Sequence, residues 1–224
     1  MNQAISTYLD SCKQEYSYTQ KRRPILRSLV WVSAMEQRAV ARLRGLLLKF
    51  RLCMAGGRVG KRLTAGRGVQ LSLGRDASCL VGDRVSVGNG VLLSVAKGAN
   101  LTIGDDVRIM HYTIIGAEQS IIVRDRAQIG EHCSIRDHEH DITTSSMHAA
   151  PIVCSSVSIG VDSWIGRGVA ILKGAVVGPG AVVGANAVVR DNIPQCAVAV
   201  GIPARIVRMR ETRRFSAEPG DRSL

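Results

Sequence analysis

The chain has 224 residues, 46% hydrophobic but only 4% aromatic, with 23 glycines; its core must therefore be built from Val, Ile, Leu and Ala, which suits a narrow, regular structure. The formal net charge of +12 belongs to the ends: residues 1–66 hold 13 Lys/Arg against 3 Asp/Glu, residues 67–203 hold 11 against 12, and residues 204–224 hold 6 against 3. No helix-turn-helix, zinc-finger or aromatic RNA-binding pattern accompanies these basic ends, so nucleic acid is not expected as a partner.

The six cysteines form no CxxC pair, and the N-terminus shows no basic region followed by an apolar run and a cleavage site. Free thiols in a reducing cytoplasm are the expectation. No stretch approaches 18 consecutive apolar residues, so no spanning helix is expected.

Residues 25–54 come first in chain order. Leu29, Val32, Met35, Ala39, Leu43, Leu46 and Phe50 recur at steps of three and four, with Arg38, Arg42, Arg44, Lys49 and Arg51 between them. This predicts an amphipathic basic helix, or two short ones broken near Gly45, starting about Pro24 and stopped by AGG at 55–57. Such a helix packs on its own domain or an oligomer interface, or meets a membrane surface; the cytoplasmic chain would then sit peripherally at the inner membrane.

From Val81 the period changes to six. VGDRVS and VGNGVL open the pattern, IGDDVR, VRDRAQ and IGEHCS continue it, and an unbroken series runs VCSSVS, IGVDSW, IGRGVA, ILKGAV, VGPGAV, VGANAV, VRDNIP. Aliphatic residues at 153, 159, 165, 171, 177, 183 and 189 should point inward, with Val157, Ser163, Val169, Ala175, Ala181 and Ala187 four places on beside them. Six is three strand dipeptides, so same-face side chains recur while each strand stays short. A repeat of this length predicts a parallel β-helix. The boundaries expected are 1–66 for a basic, mainly helical extension, 67–203 for the β-helix and 204–224 for a basic tail. Eighteen residues separate Ile135 from Val153, so 141–152 is expected to leave the helix as a loop and return in phase. It follows directly on IRDHEHD at 135–141, which holds His138 and His140.

These repeats, the histidine-bearing excursion, VDSWIGRGVAIL and the ending VGIPARIVR resemble the hexapeptide-repeat acyltransferases over roughly residues 67–210. The most similar branch acetylates hydroxyls of sugars and related compounds, as the maltose O-acetyltransferases do. The resemblance implies an all-β, left-handed parallel β-helix assembled as a homotrimer. It also implies acetyl-CoA as acyl donor, no tightly bound cofactor, and active sites between subunits. The acceptor would be a sugar, polysaccharide precursor or small metabolite.

Acetyl transfer to a hydroxyl needs a base, donors for the oxyanion and a thioester held against the nucleophile. In related enzymes the base stands seven residues after the small or aliphatic residue of the preceding hexad, and seven from Cys133 is His140. His138 is the other candidate. Asp137, Glu139 and Asp141 are candidates to orient the ring. A metal is not expected, because ligands adjacent in the chain seldom converge on one ion. The resemblance places Trp164 near the donor groove, Lys173 and Arg205 at the CoA phosphates, and Gly201 with Pro203 in a turn over the cofactor. The family's acceptor-contacting asparagine is missing from IMHYTIIGAEQS, so Tyr112, Glu118 or Gln119 would substitute, beside Asp137. Cys133 is expected inward and Cys154 outward, neither with an activating partner, which points to direct transfer rather than an acyl-enzyme. The rivals are an amine acceptor or longer acyl donor on the same fold, and a non-catalytic trimeric scaffold.

Overall fold

The computed structural model describes residues 35–211. The expected helix start near Pro24 and the tail beyond 211 lie outside the described residues. The chain divides into two compact units, 1–41 and 42–224. Of the first, residues 35–41 are described, and they are helical.

In the second unit residues 42–54 are helical with no break at Gly45. The reason for the glycine is contact. A Cβ there would collide with the backbone carbonyl of Leu63, so the helix can lie against the first coil only if this position is bare. Leu48 and Leu52, one turn apart on the same side, enter the core. Lys49 Nζ donates to the Gly60 carbonyl at 2.9 Å.

Short strands then follow one another around three parallel faces. The first face runs from Arg58–Val59 to Val176–Val177, the second from Thr64–Ala65 to Val182–Val183, and the third from Gln70–Leu73 to Val188–Val189. Each strand pairs with the corresponding strand one coil on, as Cys79 does with Leu101 and Trp164 with Val182. Cycling through three faces with parallel neighbours is a β-solenoid. It starts at Arg58, upstream of residue 67, because Arg58 already pairs with Leu80.

Burial follows the hexads. Val81, Val87, Leu93, Ile103, Ile109, Ile115, Val123, Ile129 and Ile135 are all buried, as are all the expected inward residues from Val157 to Val189. Val153 is the exception, being only half-buried. It lies on the returning arm of a hairpin, paired with Glu139, so the unbroken stack starts at Val157.

Coil length changes along the solenoid. Arg58 pairs with Leu80, 22 positions on; Asn100 with Ser120, 20 on; Ser158 with Val176, 18 on. The variable part is the corner between the third and first faces. It has four residues at 74–77 and at 96–99, and two at 118–119. In the next coil the same corner throws out the excursion, and Ile121 pairs with Val157, 36 positions on.

A solenoid needs its open end covered. Here Ala197–Val200 joins the second face and Arg205–Met209 folds back on it antiparallel. Part of the segment expected as a tail is therefore the closing strand. Gly201, at φ +99°, makes the turn into a cis Ile202–Pro203 bond.

Candidate functional site

The excursion is a two-stranded antiparallel hairpin, His138–His140 against Ile152–Cys154. It projects from the corner between third and first faces, starting three residues before the expected loop. The turn between its arms is shaped by Asp141, whose Oδ1 accepts from the Thr143 amide at 2.9 Å and hydroxyl at 2.7 Å. Those two bonds hold the Asp141 carboxyl below its usual pKa.

At the foot of the hairpin stands Asp137, with none of its surface exposed. Its oxygens accept three backbone N–H groups from the corner of the preceding coil: Glu118 at 2.8 Å, Gln119 at 2.8 Å and Ser120 at 2.6 Å. Asp137 Oδ1 also lies 3.1 Å from His138 Nδ1. The sequence offered Asp137 as a ring-orienting carboxylate and as an acceptor contact; in the structure it is buried, ties one coil to the next and lies against the His138 ring. That ring is largely buried and packs over Gly116, where a Cβ would sit 3.6 Å from Cε1.

His140 is exposed, two residues further out on the same side of the strand. Its Nδ1 lies 3.3 Å from the Ala150 carbonyl. Carbonyls and carboxylates only accept, so each contact takes a proton at Nδ1, which in the neutral ring leaves the lone pair on Nε2. Lys173, one coil on at the same corner, pairs with Glu139 at 3.3 Å. The cation expected at donor phosphates thus braces the hairpin in the isolated chain.

Two cysteines fall as expected. Cys133 is buried, its thiol near the Gly166 carbonyl at 3.2 Å, and burial raises its pKa. Cys154 is exposed opposite His138, yet its pKa is also raised, by desolvation first and then by the charges of Asp137 and Glu118. Neither is an activated nucleophile. Among the described residues, no three His, Cys, Asp or Glu side chains converge to hold a metal.

The structure therefore brings together Gln119, Asp137, His138, His140 and Lys173. Tyr112 lies elsewhere, at the corner between second and third faces, stacked on His132 with centroids 5.2 Å apart. Trp164 lies on the second face, 57% exposed. It lines a groove of about 520 Å³ with Arg108, Gln128, Arg167 and Val182. Arg108 and Arg167 went unnoticed in the sequence: strand pairing through Gln128 brings Arg108 to the groove, and Arg167 enters it from the corner just after Trp164. Arg205 is exposed on the closing strand, 3.3 Å from Asp191, with Gly201 just before it.

No family model matches the chain. It is 32% identical over 100 residues to a probable acetyltransferase of Mycobacterium tuberculosis, a match covering 44% of this chain and 33% of that protein; the chain thus aligns to a third of its curated relative's length. Among solved structures it is similar to a hexapeptide-repeat acetyltransferase of Vibrio cholerae complexed with acetyl-CoA (26% identity, TM-score 0.54, 60% of this chain and 71% of that one). An N-acyltransferase of Bacillus cereus, in complex with dTDP-4-amino-4,6-dideoxyglucose and CoA, has the same fold (22%, TM-score 0.63, 73% and 90%). So has a maltose O-acetyltransferase of Clostridium difficile (24%, TM-score 0.53, 69% and 70%). By its hexad register, its three-faced solenoid and these likenesses, the chain shares the β-solenoid fold of these solved acyltransferases.

Proposed function

We propose that the protein transfers an acetyl group from acetyl-CoA directly to a hydroxyl of a sugar, polysaccharide precursor or small metabolite, with His140 as general base. The observation that carries this reading is the His140–Ala150 contact: an exposed imidazole whose Nδ1 proton is engaged by a carbonyl presents its Nε2 lone pair outward. That nitrogen takes the hydroxyl proton as the oxygen attacks the thioester carbon. The tetrahedral oxyanion collapses, the C–S bond breaks, and the imidazolium returns its proton to the CoA sulfur. His138, locked at the foot of the hairpin, contacts the acceptor. An amine acceptor would use the same base.

The donor fits the second-face groove, where Trp164 offers an apolar surface and Arg108 and Arg167 offer charge for phosphates, with Arg205 on the closing strand beyond. In a single chain this groove and the histidine hairpin lie on different sides of the solenoid. A cyclic homotrimer would bring one copy's groove to another copy's hairpin, which is why we propose that assembly.

The test is steady-state kinetics with acetyl-CoA and a panel of hydroxyl and amine acceptors. His140→Ala should lower kcat by about 10²–10⁴-fold with CoA affinity intact. His138→Ala should cost less. A larger loss at His138 moves the base by two residues, and a loss on chelation that zinc restores replaces the metal-free mechanism.

A further inference from the structure

The helical segment 42–54 is apolar on two opposite sides. Gly45, Leu48 and Leu52 face the first coil and are buried. On the outer side stand Leu43, Leu46, Leu47, Phe50 and Met54, each more than half exposed. They recur at steps of three, one, three and four, so they form one continuous stripe. Cations border the stripe on both edges. Arg42 lines one edge, and Arg44 and Arg51, seven residues and two turns apart, line the other; Lys49, on the side of Arg42, is turned to the Gly60 carbonyl. Residues 42–54 contain no Asp or Glu.

We infer that this face docks the protein on an anionic lipid surface. The inner side anchors the helix to the solenoid and leaves the outer side presented as a unit. A helix lying in the headgroup plane needs such a face: apolar side chains reaching toward the acyl chains, with Arg and Lys at the margins snorkelling to the phosphates. Charge argues against a second copy of this chain as the occupant. Face-to-face pairing would bring three cations against three with no carboxylate between them, whereas an anionic surface neutralises both edges at once. No helix among the described residues is long and apolar enough to cross a membrane, so the contact is a surface one.

The experiment is flotation of the full chain with vesicles of equal parts phosphatidylglycerol and phosphatidylcholine, beside vesicles of phosphatidylcholine alone. The protein should float with the first and stay behind with the second. Binding should fall at 1 M salt, where the Debye length shrinks to about 3 Å. The double substitution Leu47→Asp/Phe50→Asp and the charge reversal Arg42→Glu/Arg51→Glu should each abolish flotation without changing the sedimentation coefficient. Equal flotation with the two vesicle types overturns the inference, as does full binding by either variant. A wild type that ignores both vesicles, with Leu47→Asp/Phe50→Asp changing the sedimentation coefficient, assigns the face to another copy instead.

Discussion

The Asp137 carboxylate lies 3.1 Å from Nδ1 of His138 while it also caps the Glu118, Gln119 and Ser120 amides of the coil before. One buried side chain thus joins the solenoid's backbone to the first ring of the hairpin. Sequence neighbours seldom make such a pair, and here it forms because the chain leaves its coil between them.

Asp137→Asn separates the two roles of that carboxylate. The amide nitrogen cannot accept, so at least one corner N–H loses its partner in a buried site. Each stranded donor should cost about 1–3 kcal/mol, read as a lower denaturation midpoint. The His138 ring loses its charged anchor in the same variant. Ring-proton NMR should then show His138 in more than one orientation with His140 unchanged. Unaltered stability would mean the carboxylate does not hold the corner.

Gly45→Ala sets two physical terms of opposite sign against each other. Helix propensity alone favours alanine by about 0.8–1.0 kcal/mol. The collision of the new Cβ with the Leu63 carbonyl opposes it, because backbone on both sides must shift, at about 1–3 kcal/mol. Net destabilisation is expected, with residues 42–54 becoming more sensitive to protease. A rise in Tm would show that the helix does not lie against the first coil.

The solenoid was legible because its cause is local. Each hexad puts an aliphatic and a small side chain into the same thin core, and Ile159, Ser163, Ile165 and Val169 are all buried as read. The misreading of Val153 has a physical source too. The hairpin returns after a multiple of six residues, so a β-branched residue on its arm imitates a core position. The site was legible only in part. IRDHEHD marked the hairpin, but nothing in the string tells that Asp137 turns inward and caps a coil 17–19 residues earlier. Arg108 reaches the groove of Trp164 and Arg167 only through pairing across separate coils, by way of Gln128, which no local pattern encodes.

That register difference is itself testable with two conservative truncations. Ile165 has no exposed surface, whereas Val153 is half-buried on the hairpin. Ile165→Ala should cost about 2–5 kcal/mol, the range for aliphatic truncation in a closed core. Val153→Ala should stay within about 1 kcal/mol, as changes away from the core do. Equal costs in urea denaturation would return residue 153 to the inward stack.

Cys154 supplies a chemical test of direct transfer. Its thiol sits opposite His138, where a covalent acyl carrier would be convenient, but desolvation and the negative charges of Asp137 and Glu118 raise its pKa. The thiolate is the reactive form, so at a given pH less of it is available than in an ordinary thiol. The rate of carbamidomethylation at Cys154, followed by peptide mass spectrometry, should rise with pH along a curve displaced above that of a free thiol. Glu118→Gln removes one of the negative charges and should move the curve part of the way back, leaving the larger desolvation effect in place. Cys154→Ala should then leave kcat unchanged, and acid quenching during turnover should trap no acetyl group on the protein. A midpoint at or below that of a free thiol, together with acetyl trapped on Cys154, would replace direct attack by a two-step mechanism through sulfur.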